Sequence, residues 1–113
     1  PQCTDDDVAN DVESGKIITK PYNKNHHICP EKSDYFHIYL QSGETVNIKL
    51  TIQNGDLDIY LHNSKYLTGS VVSSSVTEEF IETITYTATE TRYYYLRVVP
   101  YYTTDIDYLL EVN

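Results

Sequence analysis

Apolar and polar residues alternate with a period of two along most of the chain after residue 34. The clearest case is residues 45–53, where Val46, Ile48 and Leu50 face one way and the intervening side chains are polar. Such alternation is typical of a strand with one buried face. The same pattern predicts strands over residues 35–40, 57–62, 83–88, 91–99 and 108–112, with shorter ones over 16–20 and near 71–72.

Other segments lack this period. Residues 22–34 are polar and turn-rich and contain Pro30, so they predict no strand. No segment keeps a 3.6-residue period between caps, so we expect essentially no helix. About eight short strands, each with one polar face, favour an all-β fold, an antiparallel β-sandwich of jelly-roll type. We expect one domain overall, with residues 1–33 as an acidic arm carrying a short strand and residues 34–113 as the body.

Length and charge narrow the function. The chain has 113 residues, with 8 Lys+Arg against 17 Asp+Glu and a net charge of −9. This acidity argues against nucleic acid as a partner, because phosphate binding needs a basic surface, and against anionic membranes. No apolar run approaches the roughly 18–20 residues that span a bilayer. Cations, in contrast, are attracted to such a chain.

Two cysteines, Cys3 and Cys29, are the only ones present. Zinc sites usually pair cysteines two to four residues apart, so this spacing does not indicate one. A single disulfide between them would close a loop of roughly 27 residues and contribute about 3–4 kcal/mol in the chain-entropy model. It would also favour an oxidising compartment. The alternative is two unpaired thiols in a cytosolic protein.

Five short motifs in a fixed order resemble one known family. They are DYF at 34–36, SGETV at 42–46, GDLDIYL at 55–61, TITYTAT at 83–89 and YYYLRV at 93–98. Together they resemble the bacterial pre-peptidase C-terminal domain over nearly the whole chain. The resemblance implies a secreted, non-catalytic β-sandwich of about eight strands, appended to proteases and other hydrolases.

The family therefore suggests two functions. One is a module that binds an extracellular polymer or protein surface, polysaccharide or collagen-like. The other is a structural or processing domain that aids the folding, secretion or tethering of a parent hydrolase without a ligand of its own. In either case we expect an extracellular monomer that is not an enzyme.

The resemblance also implies a calcium site. In related collagen-binding domains of clostridial collagenases, calcium lies where an acidic arm ending in Asn-Asp meets two acids spaced three apart. The corresponding residues here are Asp6, Asn10, Asp11, Glu31 and Asp34. Val8 stands at a further acidic position and has no side-chain oxygen, which leaves the site one ligand short. The alternative is a solvated arm whose Asp and Asn side chains serve in turns.

Tyrosine is unusually frequent, with 12 copies. The strand alternation points five of them away from the core, namely Tyr35, Tyr39, Tyr60, Tyr93 and Tyr95. Exposed tyrosine offers a large contact area at low entropic cost, so these residues are candidate ligand-binding positions. The alternative is aromatic pairing across strands that only stabilises the sheet.

Catalytic patterns are weak. Asp56 and Asp58 lie two apart on a predicted strand, where two carboxyl groups can share a proton. The resemblance gives both a structural role, with Asp56 at a turn and Asp58 on the outer face.

Overall fold

The computed structural model describes residues 11–101 and 105–113. Within them the chain forms nine β-strands and no helix, so this part of the chain has no helix of the length and apolarity needed to cross a bilayer. The strands are β1 (Lys16–Ile18), β2 (Tyr22–Ile28), β3 (Asp34–Leu40), β4 (Thr45–Ile52), β5 (Leu57–His62), β6 (Val71–Ser75), β7 (Ile81–Thr87), β8 (Arg92–Pro100) and β9 (Ile106–Val112).

The strands form two sheets. One has five strands in the order β1-β3-β8-β5-β6, and the other has four in the order β2-β9-β4-β7. All pairs are antiparallel except β1 with β3. From β2 to β9 the chain crosses between sheets at every connection except β5–β6, which is the arrangement of a jelly roll. The predicted all-β sandwich is confirmed.

The core lies between the sheets and follows the alternation of the sequence. In β4 the burial alternates residue by residue, and Val46, Ile48 and Leu50 are buried. Gly43 and Gly55 stand in the turns before β4 and β5 with φ values of 88° and 87°. Residues with a Cβ rarely adopt this left-handed backbone, so glycine suits both turns.

Strand β2 corrects the sequence prediction for residues 22–34. Tyr22–Ile28 pairs with β9 through seven consecutive residues, at an edge of the four-stranded sheet. The segment looks like a loop because its inward set contains His26, which is buried at 3% exposure beside the fully buried Ile28. A polar residue at an inward position hides the period of two, and only the pairing partner reveals the strand.

Candidate functional site

All five predicted tyrosines lie on the outer face of the five-stranded sheet. Their neighbours in sequence, such as Phe36 and Leu96, belong to the buried core, so the tyrosines point to the opposite side. Strands β3 and β8 place Tyr39 opposite Tyr93. The remaining three tyrosines occur in adjacent register rows of β3, β8 and β5.

An exposed aromatic row occupies one end of this face. Tyr39 and Tyr93 are 52% and 39% exposed, and their ring centroids lie 5.1 Å apart at 66°. His37 and Tyr95 form the next cross-strand pair, and their ring centroids lie 4.9 Å apart. Edge-to-face geometry of this kind is favourable for aromatic pairs. We call His37, Tyr39, Tyr93 and Tyr95 the aromatic row.

Two of the predicted tyrosines are less accessible. Tyr60 is half-buried, and the guanidinium carbon of Arg97 lies 4.6 Å from its ring centroid, a cation–π contact. Tyr35 is only 8% exposed, so its expected exposure is wrong. The segment before β1 lies against β3 here, and a Cβ on Gly15 would be 2.9 Å from the Tyr35 carbonyl oxygen.

Arg97 also contacts a buried histidine on the same face. Its Nε donates to Nε2 of His62 at 3.3 Å, and Nδ1 of His62 lies 2.9 Å from Oγ of Ser70. Burial, together with the charge of Arg97, lowers the pKa of His62 to about 4. His62 is therefore neutral at pH 7, with Nε2 as acceptor and Nδ1–H as donor.

An acidic cleft of about 420 Å³ lies at the start of β5. Its walls include Asp56, Asp58, Glu78, Thr77 and Tyr101. Carboxylate oxygens of Asp56, Asp58 and the buried Glu82 on β7 all lie within 4.8 Å of one another. Asp58 is 3% exposed and Glu82 is fully buried, so the cluster is largely shielded from solvent.

The crowding of like charges changes the ionisation of this cluster. Burial, followed by repulsion from Asp56 and Glu82, raises the pKa of Asp58 to about 6. Burial, followed by repulsion from Glu82 and Glu78, raises the pKa of Asp56. Both effects oppose the charged form of a carboxyl group.

Hydrogen bonds are distributed unevenly among these carboxylates. Glu82 accepts from the hydroxyl of Ser75 and from both the backbone N–H (3.1 Å) and the hydroxyl (2.6 Å) of Thr77. In contrast, Oδ1 of Asp56 and Oδ1 of Asp58 are buried and accept no hydrogen bond from the described residues. The cleft thus holds two buried carboxylate oxygens that have no hydrogen-bond donor among the described residues.

Comparison with family models matches residues 32–100 to the bacterial pre-peptidase C-terminal domain, PPC. The match covers more than half of the chain. The chain belongs to this family. The resemblance carried by the five motifs is thus confirmed. PPC domains are non-catalytic accessory domains of secreted bacterial proteases.

Solved structures show the same fold. The crystal structure of the PPC domain of Bacillus anthracis collagenase has a TM-score of 0.74 at 16% identity, covering 87% of this chain and 93% of that one. PliG from Aeromonas hydrophila, a periplasmic inhibitor of g-type lysozyme, has a TM-score of 0.63 at 8% identity, covering 87% and 96%. CorA of Methylomicrobium album BG8, a surface-associated copper-binding protein, gives 0.61 at 12% identity, covering 87% and 96%. Comparison with curated protein sequences gives no match.

The calcium ligands expected from the PPC resemblance are partly outside the described residues. Asp6 and Asn10 lie outside them, as does Cys3. Asp11 is exposed and accepts from the Ser14 N–H at 2.9 Å, and Glu31 is exposed in a turn with φ of 64°. The N-terminal calcium site therefore stays a prediction.

Asp34 and Cys29 are both buried. Asp34 accepts a 2.7 Å hydrogen bond from the hydroxyl of Tyr108, and among the described residues there is no free cysteine. Pairing of Cys29 with Cys3 stays a prediction, since Cys3 is not described.

Sequence reasoning missed Glu82 as part of a site. The signal was its position, two residues before Ile84 and four before Tyr86, which places it among the inward residues of β7. An acid at an inward strand position is costly without partners, so it marks a site. Asp56 and Asp58 were noticed as a pair, but their proximity to Glu82 arises only from the packing of β5, β6 and β7.

Proposed function

We propose that this PPC domain is a secreted, non-catalytic module that attaches to an extracellular polymer through the aromatic row. The observation that carries the proposal is the exposed pair Tyr39 and Tyr93, whose side chains are 52% and 39% exposed on a rigid sheet. Large apolar side chains in such numbers on an open face favour contact with a ligand.

The shape of the row suits a linear polymer. Tyr39, Tyr93, His37 and Tyr95 come from two adjacent strands, so their rings are held by paired backbone rather than by a loop. Tyrosine rings present an apolar face and a hydroxyl, which matches both the faces of sugar rings and the proline-rich surface of a collagen-like chain. With a net charge of −9, a neutral or basic polymer fits better than an anionic one.

The proposed function also includes a calcium site and a disulfide bond at the N-terminal arm. Calcium held by the predicted ligands would order the arm, and a Cys3–Cys29 bond would tie the arm to the sequence just before β3. Both are expected of a domain that works outside the cell, where calcium is abundant and thiols are oxidised.

The binding test compares the double variant Tyr39→Ala, Tyr93→Ala with the wild-type domain in pull-downs on insoluble collagen, cellulose and chitin. We expect the wild type to be retained on at least one polymer. The double variant should lose about tenfold or more in affinity, because residues in an exposed aromatic pair are typical binding hot spots.

The control is Tyr66→Ala. Tyr66 is 78% exposed in the loop between β5 and β6, away from the aromatic row, and should leave retention unchanged. Retention of the double variant at the wild-type level, or equal loss in Tyr66→Ala, would contradict a site on the aromatic row.

The second candidate, a structural or processing role, is favoured by the close pairing of the rings, which stabilises the sheet by itself. It predicts that no polymer retains the domain and that its deletion lowers the yield of the parent protein without changing the affinity of the mature protein for its substrate.

A further inference from the structure

We propose that Asp56, Asp58 and Glu82 bind a calcium ion that joins the two sheets at one edge of the sandwich. This site is separate from the calcium site expected at the N-terminal arm, since it shares none of its residues. It draws instead on β5 and β7.

Three carboxylate ligands converge beside the cleft. Three carboxylates supply oxygen atoms that all lie within 4.8 Å of one another. Hard cations such as calcium are bound by oxygen atoms of this kind. The cleft beside them has a volume of about 420 Å³, which leaves room for the water molecules that would complete a coordination shell of six to eight.

Two buried oxygen atoms at this site have no hydrogen-bond partner in the part of the chain that the structure describes. Asp58 is only 3% exposed, yet its Oδ1 accepts no hydrogen bond from the described residues. The same holds for Oδ1 of Asp56. A buried carboxylate oxygen without a donor is costly, and a cation would remove that cost. Glu82 contributes as well, since within residues 11–101 and 105–113 its Oε2 accepts one hydrogen bond, from the Ser75 hydroxyl, and a carboxylate oxygen has a second lone pair.

The cleft and its immediate surroundings carry several acidic side chains close together. Asp56 is repelled by Glu78 and Glu82, and Asp58 is repelled by Asp56 and Glu82. None of them is in an ion pair with a Lys, Arg or His among the described residues, where the ion pairs formed involve other acids. Four carboxyl groups without a counter-charge form a region of strong negative potential.

The type of ligand favours calcium over magnesium. Calcium takes six to eight oxygen ligands in flexible geometry and readily accepts several carboxylates, such as the three that meet here. Magnesium holds its own water more firmly and demands stricter geometry.

The location indicates what the ion would do. Strands β6 and β7 are the terminal strands of the two sheets and contact each other. Asp56 and Asp58 belong to the β5 end of one sheet, and Glu82 belongs to the other. A calcium ion shared by them would link the two sheets at this edge.

The test is a calcium titration of the chelator-treated full chain at pH 7, followed by calorimetry and thermal melting. We expect calcium at about ten times its Kd to raise the melting temperature by about 5–10 °C, because it binds only the folded state. Asp56→Asn and Asp58→Asn should each weaken the Kd at the cleft at least tenfold. At calcium concentrations that just saturate the wild type, each variant should therefore bind about one ion fewer.

Two controls separate this site from other sources of calcium binding. Glu111→Gln removes one charge from β9, away from the cleft, and should bind like the wild type. Asp11→Asn changes the predicted N-terminal site and should leave the cleft ion in place. Full wild-type stoichiometry and Kd in Asp58→Asn, or no calcium binding by the wild type, would overturn the proposal. Loss confined to Asp11→Asn would overturn it too and would support the N-terminal site.

Discussion

At the scale of single residues, burial and neighbouring charge decide the behaviour of the ionisable side chains. Asp58 and His62 lie four residues apart on the outer face of β5, and each is 3% exposed or less. Their pKa values shift in opposite directions, to about 6 for Asp58 and about 4 for His62. In both cases burial favours the neutral form. His62 is neutral and hydrogen-bonded at pH 7. Asp58 is mostly charged at pH 7, although its burial and the neighbouring carboxylates disfavour the charged form.

Asp58 makes stability depend on pH in the absence of calcium. Its pKa in the folded state, about 6, is above the ordinary value of 3.8, so the folded state binds the extra proton. The contribution of Asp58 to the free energy of unfolding is therefore fully present below pH 3.8 and is lost as pH rises through 6. We expect Asp58→Asn to raise the free energy of unfolding by about 1–3 kcal/mol at pH 7 and by little at pH 4.

The measurement is urea unfolding with a chelator at pH values from 4 to 8, with Glu111→Gln as the control of equal charge change. A gain of the same size at both pH values would show that the raised pKa of Asp58 is not its source.

At the scale of elements, β2 shows how pairing can stabilise a strand of polar sequence. It is an edge strand, and beyond its ladder with β9 it is held by the side chain of His27. Nδ1 of His27 lies 2.7 Å from Oδ1 of Asp107, and Nε2 lies 3.2 Å from Oδ2 of Asp105. The hydrogen bond with Asp107 is the main cause that raises the pKa of His27, against a smaller effect of burial.

The docking of β2 should therefore weaken as pH rises. The pKa of His27 is higher in the folded state than its ordinary 6.5, so its contribution is fully present below pH 6.5 and is lost as pH rises through the folded value. We expect faster hydrogen exchange, after correction for intrinsic rates, of the β2 amides at pH 8 than at pH 6. His27→Gln should abolish this difference.

The matched control is His37→Gln, which changes a histidine on the other sheet and should keep the difference at β2. If β2 amides in the wild type keep the same corrected protection at both pH values, the ion pair does not hold the strand.

At the scale of the whole molecule, a buried polar contact joins the two sheets through the core. The hydroxyl of Tyr108, on β9 in the four-stranded sheet, donates to Oδ2 of Asp34 on β3 in the five-stranded sheet, and both residues are fully buried. Hydrogen bonds to charged groups contribute more than neutral ones, and a buried carboxylate that loses a donor is costly. Asp34 is the first residue of the DYF motif, so this residue of the motif helps to hold the two sheets together.

Tyr108→Phe should therefore destabilise the domain by about 1.5–3 kcal/mol. Tyr94→Phe is the matched control, because the hydroxyl of Tyr94, also in the core, donates to a neutral backbone oxygen of Glu90 at 3.0 Å. Its loss should cost about 0.5–1.5 kcal/mol. Equal losses in the two variants, measured by urea unfolding, would show that the Asp34 contact has no special weight.

Much of the fold followed from the sequence alone. The alternation of β3, β4, β5 and β8 predicted their inward faces, because burial of one sheet face imposes a period of two on the side chains. The five motifs between residues 34 and 98, taken in order, pointed to the family. The outward direction of the five tyrosines was also readable, since it depends only on that period.

Tertiary structure alone decided the rest, because it brings together residues that are distant in the chain. It made residues 22–28 a strand by supplying β9 as a partner, and it buried Tyr35 although the side chain points away from the core. It also brought the carboxylate of Glu82 on β7 within 4.8 Å of that of Asp58 on β5. The alternation of apolar and polar residues in a strand predicts the face of the sheet to which each side chain points. Burial and charge at a site depend instead on which other strands pack beside it.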